Sequence, residues 1–152
     1  MTPRISLEEA PKGIIDGFMK TEFYLRKSPL DHKLLELVKY RVSQLNGCAY
    51  CLDMHYKEAI RLGETPLRLY SLSAWEECPY YSDAERLALS YAEALTLTTN
   101  KGVEDDLFEK LLERFSREEV ADLTLAIAQI NAWNRLNKAF RPVPGNYEPG
   151  MY

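Results

Sequence analysis

Apolar residues recur at three- and four-residue spacings through nearly the whole chain, and alternating β-branched runs are absent, so the pattern predicts an all-α protein. A first helix is expected from about Pro11 to Arg26, with Ile14, Ile15, Phe18, Phe23 and Leu25 available for burial, before the Ser28-Pro29 break. A second begins near Asp31, where Leu34, Leu35, Leu37, Val38, Val42 and Leu45 supply a broad apolar face. Asn46-Gly47 ends it, because both residues tolerate the left-handed conformation in which helices stop. A third helix starts at or just after Cys48 and runs to about Leu62, with Gly63 placed to cap it.

Pro66 suits the first position of a fourth helix, since its missing N–H would be unpaired there in any case, and Leu67, Leu69, Leu72 and Trp75 carry the pattern toward Cys78-Pro79. Ser82 with Glu85 and Ser116 with Glu119 form capping-box patterns, the first ahead of Leu87, Leu89, Tyr91, Ala92 and Leu95, the second ahead of Val120 to Phe140. Between them, Val103 to Phe115 reads as a short amphipathic helix with Leu107, Phe108, Leu111 and Leu112 inward. The proline-rich tail, 142–150, cannot continue a helix. No low-complexity segment, long heptad run or linker interrupts the pattern, which predicts one compact helical domain over residues 1–152.

Composition narrows the functional classes. A hydrophobic fraction of 46% and a charged fraction of 28% are those of a globular chain. A net charge of −4 and a pI near 5.3 argue against a basic face for nucleic acid or anionic lipid. No apolar run approaches the roughly 20 residues that cross a bilayer, and the amino terminus lacks a signal peptide's apolar centre, so a cytoplasmic protein is expected. Three cysteines do not make a secreted disulfide framework; in a reducing compartment, a close pair points to metal binding or catalysis.

That pair is Cys48-Ala49-Tyr50-Cys51, at the start of the third helix. Free backbone N–H groups and the positive dipole end stabilise an anion there, and a thiolate is such an anion. Cys51 and His55 lie four apart on one helix face, within reach of each other, and an imidazole is suited to moving a proton at neutral pH. Glu36, brought back by the Asn46-Gly47 turn, can orient that imidazole or accept the proton last. Cys48 can approach Cys51 closely enough to cycle between dithiol and disulfide. The arrangement permits attack of the Cys51 thiolate on a peroxide oxygen, followed by condensation of the sulfenic acid with Cys48.

Two other uses of these residues compete. A zinc site would need Cys48 and His55 together, yet seven helical residues separate them by roughly 10 Å along the axis. Two buried thiols could simply fill space, a reading weakened by Glu36, Gly47 and His55 at their spacings. His32 is expected to cap or face solvent, and Cys78 to be structurally incidental. Trp75, Trp133 and the tyrosines are expected in the core or at a subunit contact. Asn131, Asn134 and Arg135 are expected to satisfy buried backbone groups or a subunit contact. Tyr50 either packs between the cysteines or contacts substrate.

The order Glu36, eleven residues, Cys48, two residues, Cys51, three residues, His55 resembles the signature of the alkylhydroperoxidase D (AhpD)-like group, within the carboxymuconolactone decarboxylase-like superfamily. Residues 130–136, Ile-Asn-Ala-Trp-Asn-Arg-Leu, are similar to a segment common in its single-domain, peroxidase-related members, and the likeness spans roughly 30–142. The resemblance implies an AhpD-like helical bundle forming homotrimers or homohexamers. It implies that Cys51 forms the sulfenic acid, that Cys48 supplies a proton and then resolves it, and that Glu36 and His55 relay protons. Hydroperoxide would be the substrate, with no bound cofactor and an external thiol or dithiol reductant. Tyr50 stands where the best-studied branch has a histidine. Two further readings are a redox-responsive binding protein with little turnover and a non-redox decarboxylase, whose branch lacks the cysteine pair.

Overall fold

In this computed structural model, which describes residues 2–100 and 102–151, all regular structure among the described residues is helical. The helices are α1 (Lys12–Leu25), α2 (His32–Asn46), α3 (Ala49–Arg61), α4 (Pro66–Ser71), α5 (Asp83–Thr96), α6 (Asp105–Leu112) and α7 (Arg117–Phe140), with a 3-10 turn at Leu72–Ala74 after α4. Among the described residues, no helix is long and apolar enough to cross a membrane.

Helix starts follow the local chemistry. The Asp31 side chain accepts from the Lys33 N–H at 2.8 Å and opens α2. Both capping boxes form, with Ser82 and Glu85 opening α5 and Ser116 and Glu119 opening α7. The α2 terminus bears most directly on function. Gly47 adopts φ +62°, its N–H donates to the Gln44 carbonyl at 3.1 Å, and the Cys48 N–H donates to the Ser43 carbonyl at 3.1 Å. This Schellman turn satisfies the last carbonyls of α2 and delivers the chain straight into α3 at Cys48.

α2 is covered on two faces. Leu34, Leu35, Val38 and Val42 join a core with Ala88, Tyr91 and Ala92 of α5 and Leu123, Ala126, Ile127 and Ile130 of α7. Leu37 instead meets Ala59 of α3, Leu69, Leu72, Trp75, Tyr81 and Leu89 in a second cluster. α7, with 24 residues and therefore about 36 Å long, runs through the bundle and packs on α1, α2, α3, α5 and α6.

Three boundaries and burials depart from the hydrophobic pattern. α1 packs along α7 at the bundle's edge, so of its expected apolar set only Leu25 is buried, and Ile14 and Phe23 stay exposed. α4 stops at Ser71 rather than continuing toward Cys78, because the 3-10 turn swings Leu72 and Trp75 into the second cluster. α6 is only Asp105–Leu112; Leu111 is buried while Phe108 lies at the rim, since eight residues present too narrow a face to bury both.

Candidate redox site

Cys48 is the N-cap of α3 and Cys51 lies in its first turn; the two sulfurs form a disulfide. Both are buried, Cys51 completely and Cys48 to within 3%. Their position is held from outside α3 by a polar ladder on α7. Asn46 donates to Asn134 Oδ1 at 2.9 Å and to Asn131 Oδ1 at 3.0 Å, and Asn134 donates to Ser43 Oγ at 3.1 Å. Asn131 in turn donates to Thr96 Oγ1 at 3.0 Å, and Lys138 Nζ holds the Asn46 carbonyl at 2.8 Å. The ladder clamps the α2 terminus, and with it the Gly47 turn, onto α7. Asn131 and Asn134 are expected from the sequence to satisfy buried backbone groups or a subunit contact; apart from the bond of Asn131 to the Ile127 carbonyl, their partners here are side chains, and they fix where α3 begins.

His55, one turn after Cys51, is buried, and its Nδ1 lies 2.7 Å from Glu36 Oε2. Glu36 belongs to a longer chain of charges, for Lys39 Nζ stands 3.4 Å from its other oxygen and 3.5 Å from Glu22 Oε2. Trp133 Nε1 donates to Glu22 Oε1 at 2.8 Å and closes the row. Burial works to raise the Glu36 pKa, but the charges and hydrogen bonds of Lys39 and His55 outweigh it and hold the carboxyl at about 2. Burial likewise works to lower Lys39, and Glu36 and Glu22 overcome it, so the ammonium is held above its usual range. Glu36 is therefore a carboxylate at neutral pH and only accepts. His55 must then carry a proton on Nδ1, which leaves Nε2 as its free end. That atom is buried without a hydrogen-bond partner among the described residues.

Sequence reasoning passed over Asn137. This buried residue of α7 donates from Nδ2 to Cys51 Sγ at 3.4 Å. The available signal was its spacing, three residues after Asn134 and so on the same helix face. Lys39, three residues after Glu36, was legible in the same way.

A cavity of about 550 Å³ adjoins the centre. Glu36, Tyr50, His55 and Asn137 line its redox side, while Ile15, Met19, Leu35, Met54, Ile130 and Trp133 give it apolar walls. The tail, through Tyr147 and Gly150, lines one side of it and is hydrogen-bonded to α3. Asp53 Oδ2 accepts from the Gly145 N–H at 2.9 Å, Lys57 Nζ donates to the Gly145 and Tyr147 carbonyls at 3.0 and 2.9 Å, and Glu58 accepts from the Tyr147 hydroxyl and the Gly150 N–H. Burial, then Glu58, push the Tyr147 phenol well above its ordinary range, so it remains a donor.

Glu36, Cys48, Cys51 and His55 thus come together, with Tyr50 half-buried at the cavity wall. His32 is exposed and lines the cavity, while Asp31 does the capping. Cys78 is a free, half-buried thiol packed against the second cluster, donating to the Ser71 carbonyl at 3.9 Å. Among the described residues, no group of three or more His, Cys, Asp or Glu is arranged to hold a metal ion.

The sequence model of the carboxymuconolactone decarboxylase family matches residues 13–94, a span that contains α2, α3 and α4 and nearly all of α1 and α5. The chain is 44% identical over 140 residues to the uncharacterised protein YdfG of Bacillus subtilis, covering 91% of this chain and 95% of that one. It is 36% identical over 115 residues to the uncharacterised protein YnjA of Escherichia coli, covering 75% of this chain and 62% of that one. The crystal structure of ATU0492 from Agrobacterium tumefaciens, named there as a candidate antioxidant defence protein AhpD, superposes with a TM-score of 0.91 at 37% identity, covering 96% of this chain and all of that one. This chain belongs to the carboxymuconolactone decarboxylase family, with an AhpD-like all-α fold.

Proposed function

We propose that this protein is a thiol-dependent peroxidase that reduces hydroperoxides through Cys51 and Cys48. The observation that carries the reading is the buried Cys48–Cys51 disulfide set beside the His55–Glu36 pair and an apolar-walled cavity. The likeness to ATU0492, with its antioxidant designation, supports the same class of activity.

In the dithiol form His55 Nε2 takes the Cys51 proton, while the Glu36 carboxylate steadies the resulting imidazolium. The thiolate attacks the nearer peroxide oxygen; the S–O bond forms, the O–O bond breaks, and the departing oxygen leaves as alcohol or water on receiving a proton from the relay or from Cys48. Cys48 then attacks the Cys51 sulfenic acid, forming the disulfide and releasing water. Sulfur has supplied the two electrons. An external thiol or dithiol returns them by exchange. No bound organic cofactor enters this cycle, and the whole chain acts as one domain assembled into a homotrimer or homohexamer, which sizing by light scattering tests.

Reductant-dependent peroxide consumption by wild type and Cys51→Ser is the decisive assay. Loss of turnover in the variant is expected, and unchanged turnover overturns the mechanism. Negligible consumption by a wild type whose disulfide still opens and closes would instead mark a redox-responsive binding protein. An activity that survives replacement of both cysteines would mark a decarboxylase-type enzyme.

A further inference from the structure

We propose that Asn137 is a catalytic residue of the redox centre, its side-chain amide donating to Cys51 Sγ and stabilising that sulfur as a thiolate. The inference rests on the reading of Cys51 as the attacking thiol. Its geometric basis is the 3.4 Å separation of Nδ2 from Sγ, within hydrogen-bond range for a sulfur acceptor. Asn137 is only 8% exposed, so its amide group needs a partner inside the protein, and the sulfur provides one. The stretch of α7 that carries it is anchored as well. Asn134, one turn earlier on α7, is locked to Ser43 and Asn46, the residues that lead into Cys48.

The chemistry is directional. A neutral thiol or disulfide sulfur accepts hydrogen bonds weakly and a thiolate accepts them strongly, so a fixed N–H favours the anion. The benefit falls twice in the cycle. Before peroxide attack, it raises the fraction of Cys51 ionised. During reduction, an incoming thiolate bonds to Cys48, the Cys48–Cys51 bond breaks with its electron pair going to Cys51, and Asn137 receives the new anion. Reduction is thereby steered so that Cys51 leaves and Cys48 carries the mixed disulfide. Glu36, Tyr50 and His55 line the same side of the cavity as Asn137. The amide of Asn137 carries no titratable proton, and it acts throughout.

The test is the ionisation of Cys51 in a Cys48→Ser, Cys78→Ala background, followed through the ultraviolet absorbance of the thiolate. Asn137→Ala is expected to raise the Cys51 pKa by about one, the worth of a hydrogen bond to a charged group. Asn137→Asp keeps the shape but turns a carboxylate oxygen toward the sulfur, and is expected to raise it further. Circular dichroism melting establishes which variants are folded. An unchanged Cys51 pKa in either folded variant overturns the proposal. The two readings fail separately: a raised pKa with no peroxide turnover in wild type keeps Asn137 and removes the peroxidase, while turnover with unaltered ionisation does the reverse.

Discussion

His55 and Glu36 meet at 2.7 Å across the turn that joins α2 to α3, and this contact fixes which imidazole nitrogen is free. Because Glu36 is held ionised, Nδ1 donates to it and Nε2 alone is left for chemistry. Glu36→Gln keeps the shape but cannot stabilise a protonated ring. Peroxide turnover at neutral pH is expected to fall by about 10²-fold, the lower end of what acid–base catalysis contributes, because His55 loses the carboxylate that supports it as the base. Disulfide formation by a strong oxidant should persist, so steady-state turnover beside a thiol count separates a catalytic effect from a broken fold.

The same carboxylate makes stability depend on acid. Its folded pKa of about 2 lies below the ordinary value of 4.5, so the unfolded chain takes up this proton first as pH falls. The contribution is complete above about 4.5 and is lost as pH drops toward 2; its full size is on the order of 3 kcal/mol. Urea midpoints of wild type and Glu36→Gln are expected to converge between pH 5 and 2. Two parallel curves across that range would contradict the assignment.

Gly47 is a position where a side chain is penalised by backbone alone. Its φ of +62° is left-handed, while an added Cβ would meet only Lys138 Nζ at an ordinary 3.6 Å. Gly47→Ala should therefore cost about 1–2 kcal/mol. Thermal melts measure that cost, and the rate of Cys48–Cys51 reduction by a small dithiol reads whether the turn has also moved α3.

Asn134 is fully buried and serves two partners, so Asn134→Ala removes one hydrogen bond from each of Ser43 and Asn46, which keep the Lys39 carbonyl and Asn131. The expected destabilisation is about 1–3 kcal/mol, from the loss of two buried hydrogen bonds. Arg135 is the control on the same helix. It reaches Asn131 from an exposed position, and Arg135→Ala should change the denaturation midpoint little.

Much of this protein was legible in one dimension. Three-and-four spacing announced an all-α chain, Ser82/Glu85 and Ser116/Glu119 marked two helix starts, and Asn46-Gly47 marked the turn into the cysteines. Those are local signals, set by capping, backbone conformation and helical period, so no distant residue is needed to read them. Phe23 and Phe108 show the limit: periodicity says that a face is apolar, and only the neighbours that arrive decide how much of it is covered.

The candidate site divides along the same line. Glu36, Cys48, Cys51 and His55 lie within twenty residues, on two helices joined by one tight turn, and their spacing alone brings them together. Asn137 comes to Cys51 from 86 residues away, and Glu22 joins the Lys39–Glu36 row from another helix. Whether such groups meet depends on how α7 and α1 pack against α2, which no local pattern encodes. The sequence by itself determined that the cysteine pair, His55 and Glu36 lie together, because their spacing follows from helical geometry. Tertiary packing decided what surrounds the sulfur: the amide on Cys51, the buried charge row behind His55, and the cavity that the tail helps to line.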